Sequence, residues 1–336
     1  MIFFAFLSLL LSNPVKSDWC NSKELVPNRR SQHGKTNSSS GPPSGPPRWE
    51  ALTKDEQKYF TRCETIFVEK SMFIDDSGAE TGGTFYSYDK THINSLLKSA
   101  KLLVQLIKSQ GVYEGTLIHS RKNRHRRPKS SEIWLLEALN DLQMGSKSTK
   151  VLVIGSQSPW YEVLSLAFGA SLVHTVDYNR LSYDHPQLST FTASEFWKSK
   201  NQHVNNAYDV ILSISSYDHD GLGRYGDPIA PDGDLLSMSL LRTAPFFKDT
   251  TKLVLTVPVG EDLVAWNLMR IYGNVRLPLL LKGYDVVNKY GYDEKKVFLK
   301  FGGNSNFRQS YEPVFVLKKG VLSKETKTKG KHNVDL

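Results

Sequence analysis

The sequence predicts an α/β fold with a doubly wound, mostly parallel sheet over residues 150–318, preceded by a helical N-terminal extension. Two short apolar runs, Val151–Ile154 and Leu172–Val176, flank a segment with helical spacing. A third run, Tyr208–Ile214, is almost continuously apolar, as expected for a strand buried on both faces. Alternation of such strands with helices is typical of a parallel sheet, and Val151–Ile154 is predicted as its central strand.

The sequence also predicts the other elements of this domain. Pro159 opens the first helix and Gly169 closes it. The later elements are, in chain order, a helix over 232–247, a strand over 252–257, a short helix over 275–282, and strands over 284–288 and 313–317. The last two strands are predicted to join through a tight loop and form an antiparallel edge.

Residues 50–149 form the predicted helical extension. Thr53 and Glu56 have the spacing of a capping box, in which each residue satisfies the other's backbone N–H. Apolar spacing predicts helices from Thr53 to about Phe67, from Thr91 to Gly111 and from Ser131 to about Gly145. A basic loop, residues 121–129, separates the second helix from the third.

The two ends of the chain differ from the body. Residues 1–17 are predicted to be a signal peptide, because a short apolar run is followed by a polar break and small residues. That run is too short to span a membrane, and no other segment is long enough. Residues 18–49 are predicted to be a flexible linker and residues 319–336 a basic, disordered tail. We therefore expect a secreted protein or one in the lumen of the secretory pathway.

The cysteines and one sequon are consistent with that compartment. Cys20 and Cys63 are the only cysteines and lie upstream of the sheet domain. In an oxidising lumen they are expected to form one disulfide, and two separate thiols are the alternative. Asn37 begins an Asn-Ser-Ser sequon in an exposed, Ser/Gly/Pro-rich stretch, which predicts N-glycosylation.

The net charge of +9 is concentrated in two segments. Residues 121–129 hold six Lys or Arg and no acid, and the tail is rich in lysine. A nucleic-acid-binding protein is expected to carry its basic face on the fold itself, so no nucleic-acid partner is predicted. The basic loop could instead bind sulfated glycans, or it could be a solvated loop. The sequence predicts no oligomeric state.

The segment from Gly155 to Asp177 has the order of a nucleotide-binding βαβ unit: strand, glycine turn, helix, strand, acid. The glycine is expected to let the backbone approach a ligand, and the acid can accept two ribose hydroxyls. Gln157 and Trp160 stand where a dinucleotide fingerprint has further glycines. A nucleoside cofactor without a pyrophosphate, such as S-adenosylmethionine, is therefore favoured over NAD. A crossover that binds nothing is the alternative.

A long loop after the third apolar run, Ser215–Asp234, is dense in charged residues and glycines. Such residues at the carboxyl end of a strand are typical of an active site. His219 or Asp220 is the candidate general base. The candidate substrate-binding residues are Arg224, Tyr225 and Asp227. Alternatively, Asp218, Asp227 and Asp232 cap turns. The spacing of the acids lacks the final Glu of an EF-hand, so no metal is predicted.

Five segments of the chain resemble a family of domains of unknown function that is common in nematodes. They are GSQSPWYE (155–162), TVDYN (175–179), DHDGLGRYGDP (218–228), VPVGED (257–262) and RIYGNVRLPLLLKGYDV (270–286). That family is similar to class I S-adenosylmethionine-dependent methyltransferases. The resemblance implies a cofactor site at Gly155, Ser156, Asp177, Tyr178 and Ser213.

Two functions follow from these observations. The first is a methyltransferase of the secretory pathway that uses S-adenosylmethionine to methylate a hydroxyl, for example of a glycan. The second is a secreted, non-catalytic protein with a methyltransferase-like fold that binds anionic glycans through residues 121–129. The expected partner is a small molecule or a glycan in either case.

Overall fold

A computed structural model of the chain describes residues 45–78, 84–112, 130–145, 148–198, 207–297 and 310–320. The predicted signal peptide, Cys20, Asn37, the basic loop 121–129 and the tail from residue 321 lie outside the described residues. Cys63 is described and is not a free thiol, but its pairing with Cys20 stays a prediction. None of the described helices has the length and apolarity needed to cross a membrane.

The described residues form eight α-helices and twelve strands, separated by turns and two 3₁₀ turns. The helices are α1 (Lys54–Phe60), α2 (Lys90–Gln110), α3 (Ser130–Asp141), α4 (Trp160–Ala167), α5 (Ala193–Lys198), α6 (Gly233–Thr243), α7 (Arg276–Leu280) and α8 (Glu294–Val297). The strands are β1 (Phe67–Glu69), β2 (Phe85–Tyr88), β3 (Thr149–Ile154), β4 (Ala170–Asp177), β5 (Arg180–Tyr183), β6 (Leu188–Thr192), β7 (Val210–Ile214), β8 (Lys252–Thr256), β9 (Leu263–Ala265), β10 (Met269–Ile271), β11 (Tyr284–Tyr290) and β12 (Val314–Lys319).

Seven of these strands form one sheet in the order β11-β12-β8-β7-β3-β4-β6. Strands β8, β7, β3, β4 and β6 are parallel, whereas β12 is antiparallel to both β8 and β11. The predicted fold class, a doubly wound and mostly parallel sheet, is therefore confirmed. The central position belongs to β7, and the strand that contains Val151–Ile154 lies one place from it.

Strand β3 is buried because its side chains enter two hydrophobic cores. Val151 and Val153 pack with α2, α3 and α4 on one face of the sheet. Leu152 and Ile154 pack with α6 and α7 on the other face. Alternate residues of a strand point to opposite faces, so an apolar run without alternation is what a strand covered on both sides requires.

Several predicted boundaries are wrong in an informative way. The capping box at Thr53 and Glu56 is present, but α1 ends at Phe60 and does not reach Phe67. Arg62, Cys63 and Glu64 all have positive φ angles, which turn the chain away from the helix. Helix α6 likewise ends at Thr243, before an extended Ala244. The connection between β11 and β12 contains α8, so the predicted tight loop is also wrong.

The N-terminal extension is not only helical, because it adds strands to the sheet domain. Strand β1 pairs in parallel with β9, and β2 pairs in parallel with β5. Trp49 and Phe60 pack edge-on against Trp266, with ring centroids 5.1 and 5.0 Å away. The indole N–H of Trp266 donates to the carbonyl of Pro47 at 3.1 Å. The extension and the sheet domain therefore share a core.

Candidate functional site

The carboxyl ends of β7, β3 and β4 lie side by side, and the loops that follow them surround one cleft. We call Gly155–Trp160, after β3, the glycine loop and Ser215–Asp234, after β7, the acid loop. The cleft has a volume of about 240 Å³. Its lining residues come from the glycine loop, the start of α4, the end of β4 and the acid loop: Gly155, Ser156, Gln157, Ser158, Tyr161, Asp177, Ser215, Ser216, His219 and Tyr225.

Gly155 makes a turn that other residues would strain, since its φ angle is +71°. Its N–H donates to the carbonyl of Val176 at 2.9 Å, which ties the glycine loop to β4. A Cβ atom at position 155 would overlap the side chain of Ser216. The glycine is therefore needed for the close approach of the acid loop. Gly155 also lines the cleft, and the approach of a ligand to its backbone stays a prediction.

Asp177 lies at the end of β4 and is 2 % exposed. One of its carboxylate oxygens accepts the N–H of Asn179 at 2.7 Å. Burial raises the pKa of Asp177, although the hydrogen bonds from Asn179 and Ser156 oppose that effect. The side chain lines the cleft, so this carboxylate can accept hydrogen bonds from the hydroxyls of a ligand.

Several buried polar atoms near the cleft have no hydrogen-bond partner among the residues that the structure describes. Two of them are the Ser216 hydroxyl and the Asn179 side-chain nitrogen. An unsatisfied buried polar group costs about 1–3 kcal/mol, so such atoms are typically satisfied by a ligand or by water. Together with Asp177, they form a donor and acceptor set suited to a polar, nucleoside-like ligand.

Glu162, in the first turn of α4, is a residue that the sequence reasoning missed. It is fully buried, and it accepts the Thr175 hydroxyl at 2.8 Å. Its other oxygen lies 3.3 Å from the hydroxyl of Ser156. Burial raises the pKa of Glu162 to about 7, with its hydrogen bonds opposing the shift. The sequence signal that could have indicated Glu162 is an acid in the first turn of the helix that follows a buried strand and its glycine loop.

His219 is the candidate base that lines the cleft, and its ring is held on both sides. Its Nδ1 lies 2.5 Å from the carbonyl of Leu268, in the turn between β9 and β10. Its Nε2 lies 3.4 Å from a carboxylate oxygen of Asp218. Asp218 is fully buried, its pKa is raised by burial, and no described residue hydrogen-bonds to its carboxylate. Asp220, the other candidate base, is buried and does not line the cleft.

The three predicted substrate-binding residues are brought together, but only Tyr225 faces the cleft. Asp227 accepts the N–H groups of Gly221 and Gly223, at 2.7 and 3.1 Å. It therefore shapes the acid loop, as the turn-capping alternative proposed. Arg224 donates to Asp76 of the N-terminal extension at 2.8 Å, and its guanidinium lies 4.9 Å from the ring centre of Tyr225.

The other two predicted cofactor residues do not line the cleft. Ser213 is fully buried inside β7. Tyr178 directly follows Asp177 in the chain and is partly buried, and burial raises its pKa well above the usual range. Ser215 and Ser216 line the cleft instead. Ser215 has a φ angle of +48°, and its N–H and hydroxyl bond Thr256 and Glu312. Unfavourable backbone angles of this kind are concentrated at functional sites.

A cluster of buried ion pairs holds the acid loop in place, and the sequence did not predict it. Arg276 donates to Asp234 at 2.9 Å, and Arg62 of the extension donates to Asp232 at 2.7 Å. Arg270 donates to the backbone carbonyls of Asp220, Ala230 and Pro231 and lies 3.8 Å from Asp234. The shape of the acid loop therefore depends on arginines from three other parts of the chain.

Within the described residues, no three His, Cys, Asp or Glu side chains converge in the way a metal site requires. The polar side chains that line the cleft are serine and tyrosine hydroxyls, the Gln157 amide, the Asp177 carboxylate and the His219 imidazole.

Comparison with solved structures finds low-identity likenesses to methyltransferases. SMU.776, a candidate methyltransferase complexed with SAH, is 14 % identical, with a TM-score of 0.36, over 55 % of this chain and 49 % of that one. A candidate S-adenosylmethionine-dependent methyltransferase from Streptococcus mutans is 14 % identical over the same shares, with a TM-score of 0.34. This chain spans about half the length of these two proteins.

A third likeness is to a chain in the complex between the Haloferax volcanii Trm112 methyltransferase activator and a candidate methyltransferase. It is 10 % identical, with a TM-score of 0.36, over 56 % of this chain and 89 % of that one. No curated protein matches the chain.

A family profile matches residues 148–319, which include the whole seven-stranded sheet and all three loops of the cleft. The match covers half of the chain. The chain therefore belongs to the family described as "Caenorhabditis protein of unknown function, DUF268".

Proposed function

We propose that this chain is an S-adenosylmethionine-dependent methyltransferase that transfers a methyl group to a hydroxyl. The observation that carries the proposal is the place of Asp177. It is a buried carboxylate at the end of β4, beside the glycine turn that ends β3, and it faces the cleft. An acid at this point of a doubly wound sheet is placed to accept the two hydroxyls of a ribose.

The sheet topology supports the proposal. Number the seven strands of the sheet 1 to 7 as they occur along the chain. Read from the β6 edge, their order in the sheet is then 3-2-1-4-5-7-6, and strand 7, which is β12, is antiparallel to its neighbours. This arrangement is typical of class I methyltransferases. The order reverses between β3 and β7, and ligands of doubly wound sheets bind at such a reversal. The cleft lies at this point.

The polar groups of the cleft fit a nucleoside cofactor. Asp177 would hold the ribose, while the Ser216 hydroxyl and the Asn179 amide offer unsatisfied hydrogen-bonding groups beside it. The cleft volume of about 240 Å³ suits the nucleoside part of the cofactor more than the whole molecule. When bound, S-adenosylmethionine supplies an electrophilic methyl group on a positively charged sulfur.

His219 is the residue placed to remove the proton from an acceptor hydroxyl. The Leu268 carbonyl beside Nδ1 favours the tautomer that carries its hydrogen there, so Nε2 keeps a lone pair. Asp218, 3.4 Å from Nε2, would stabilise the charge that the ring gains on accepting a proton. Tyr225, whose ring centre lies 5.5 Å from that of His219, forms the neighbouring wall for the acceptor.

The compartment and the acceptor class of this proposal come from the sequence. The apolar run Ile2–Leu11, the Cys20 and Cys63 pair and the sequon at Asn37 support a protein of the secretory pathway. A glycan hydroxyl is an acceptor that such a compartment supplies. The six basic residues of 121–129 favour the second candidate, a non-catalytic protein that binds anionic glycans.

Titration calorimetry of the full chain with S-adenosylmethionine tests the proposal. We expect measurable binding that Asp177→Asn weakens by about tenfold or more, because each charge-assisted hydrogen bond contributes about 1.5–3 kcal/mol. His219→Gln should leave that affinity nearly unchanged and slow methyl transfer to an oligosaccharide panel.

Absence of binding at millimolar cofactor would reject the enzyme and leave the second candidate. That candidate predicts binding of sulfated glycans, lost when the basic residues of 121–129 are replaced by glutamine.

A further inference from the structure

The base proposed for the cleft, His219, is oriented by a carbonyl group from outside the acid loop. A carbonyl oxygen only accepts hydrogen bonds, so the 2.5 Å contact between His219 Nδ1 and the Leu268 carbonyl places a ring hydrogen on Nδ1. Leu268 lies in the turn between β9 and β10, where its N–H donates to the Ala265 carbonyl at 2.9 Å. The position of this turn therefore decides which nitrogen of the neutral ring keeps a lone pair.

Asn267, the residue before Leu268, gives the turn its shape. It is fully buried and has a φ angle of +61°, in the left-handed region where asparagine is enriched. Its side-chain oxygen accepts the N–H of Ile74, in the N-terminal extension, at 2.7 Å. Its side-chain nitrogen has no hydrogen-bond partner among the described residues. Within that part of the chain, the Asn267 side chain is therefore held through its oxygen.

The extension also holds the residue on the other side of Asn267 and the strand that leads to it. Strand β1 of the extension pairs in parallel with β9. The N–H of Trp266 donates to the Glu69 carbonyl at 2.8 Å, and its indole packs in the core that the extension shares with the sheet domain. Trp266 and Asn267 thus contact the extension, whereas the Leu268 carbonyl contacts His219. The β9–β10 hairpin links the extension to the imidazole.

We propose that Asn267 is a positioning residue for His219. Through it, the N-terminal extension holds the Leu268 carbonyl at Nδ1 and leaves the lone pair on Nε2, which takes the proton of an acceptor hydroxyl. This inference rests on the proposed function, since that function makes His219 the base. It goes beyond it because Asn267 does not line the cleft and Ile74 lies outside the residues that the family profile matches.

Nitrogen NMR of the full chain with ¹⁵N-labelled histidine tests the inference. The two nitrogens of a neutral imidazole give different signals according to which of them carries the hydrogen, and His219→Gln identifies the signals of His219. At about pH 8.5, where an ordinary histidine is neutral, we expect the hydrogen of wild-type His219 on Nδ1. A hydrogen on Nε2 in the wild type would overturn the inference, even if no variant folds.

Asn267→Gly tests the hydrogen bond to the extension, since glycine adopts the positive φ angle but offers Ile74 no acceptor. We expect a mixture of the two tautomers of His219. Methyl transfer should slow by about fivefold, the effect of losing one hydrogen bond, with the affinity for S-adenosylmethionine unchanged. Asn267→Asp keeps an oxygen acceptor at this position and should keep the wild-type tautomer. The wild-type tautomer in Asn267→Gly would overturn the inference.

Leu139→Ala is the control for a general loss of stability. Leu139 lies on α3 and packs in the core on the face of the sheet that α2, α3 and α4 cover. This variant should unfold at a lower urea concentration and keep the wild-type tautomer of His219. A mixture of tautomers in Leu139→Ala would overturn the inference, because any loss of stability would then disturb the ring.

The two proposals fail differently. Absence of S-adenosylmethionine binding, with the expected tautomers in the wild type and in Asn267→Gly, rejects the proposed function and leaves the orientation of the ring by Asn267 in place. Binding of S-adenosylmethionine with an unchanged tautomer in Asn267→Gly leaves the proposed function standing and rejects the role of Asn267.

Discussion

The glycine loop and the acid loop meet at one cleft but are held by different interactions. In the glycine loop, Ser156 contacts Ser158 and Glu162, which are close to it in sequence. The acid loop is held by buried arginines whose positions in the chain lie before and after it, such as Arg62 and Arg276. The glycine loop therefore depends on hydrogen bonds within itself and to α4 and β4, whereas the acid loop also depends on long-range ion pairs.

Two fully buried acids show what this difference does. Burial raises the pKa of Glu162 to about 7, and the hydrogen bonds donated by its hydroxyl neighbours offset the shift only in part. Burial also acts to raise the pKa of Asp234, but Arg270 and Arg276 outweigh it and lower that pKa to about 2. Burial alone therefore does not decide the charge of an acid in this fold; the neighbouring groups decide it.

The largest expected effect is on the acid loop. Arg276→Met removes the guanidinium that donates to Asp234 and leaves this buried carboxylate with Arg270, 3.8 Å away, as its remaining ion-pair partner in the described part of the chain. Breaking a buried ion pair typically costs about 3–5 kcal/mol. Urea unfolding of the full chain measures this loss. The matched control is Lys318→Met, which breaks the exposed pair of Lys318 with Asp285, 3.8 Å apart. We expect that variant to lose less than about 1 kcal/mol. Similar losses in both variants would mean that the buried pair is not what holds the loop.

The next effect concerns the glycine loop and has a defined sign with pH. The folded-state pKa of Glu162 is raised to about 7 from 4.5, so the folded chain keeps a proton that the unfolded chain loses between these values. The stabilising contribution is complete below pH 4.5 and is lost as the pH rises through 7. It amounts to about 3 kcal/mol, from about 1.4 kcal/mol per pKa unit.

Urea unfolding of the wild type and of Glu162→Gln at pH 5.5 and pH 8 measures this contribution. The difference in unfolding free energy between the two proteins should change by about 2 kcal/mol or more over this range, since most of the titration lies within it. A constant difference would show that Glu162 is ionised throughout. Asp234 has the opposite sign, because its pKa is lowered and its stabilisation is lost only in strong acid.

The smallest effect tests the contact between the two loops. Gly155→Ala forces an alanine into a positive φ angle and places its Cβ against Ser216, which should cost about 1–3 kcal/mol. The double variant Gly155→Ala/Ser216→Gly removes the overlap but keeps the backbone strain. Thermal unfolding of both variants should show partial recovery in the second. Full recovery would assign the whole cost to the overlap, and no recovery would assign it to the backbone.

Much of the sheet domain was predictable from the sequence, because its signals are local. Val151–Ile154 and Tyr208–Ile214 are apolar runs of the kind that two-sided burial requires, and Gly155 and Asp177 end two neighbouring strands. These runs alternate with helical segments, which predicts parallel strands and the convergence of three loops at their carboxyl ends. Strands such as β6 and β9 were missed for different reasons. Strand β6 contains three polar residues out of five, and β9 is only three residues long.

The residues of the cleft were predictable only in part. Asp177, His219 and Tyr225 were found because they follow strands in charged or glycine-rich loops. Asp227 has the same local signals, yet it holds the turn of its own loop. A sequence does not show which way a side chain points. Local signals therefore cannot tell a residue that lines the cleft from a chemically similar residue that holds the turn of the same loop.

The sequence by itself determined the parallel sheet, the glycine turn at Gly155 and the acid at the end of β4. These depend on hydrophobic periodicity and backbone conformation, which neighbouring residues set. Only the tertiary structure decided the ion pairs of Arg62, Arg270 and Arg276 and the raised pKa of Glu162. The physical reason is that charge and burial depend on groups that are close in space but distant in the chain.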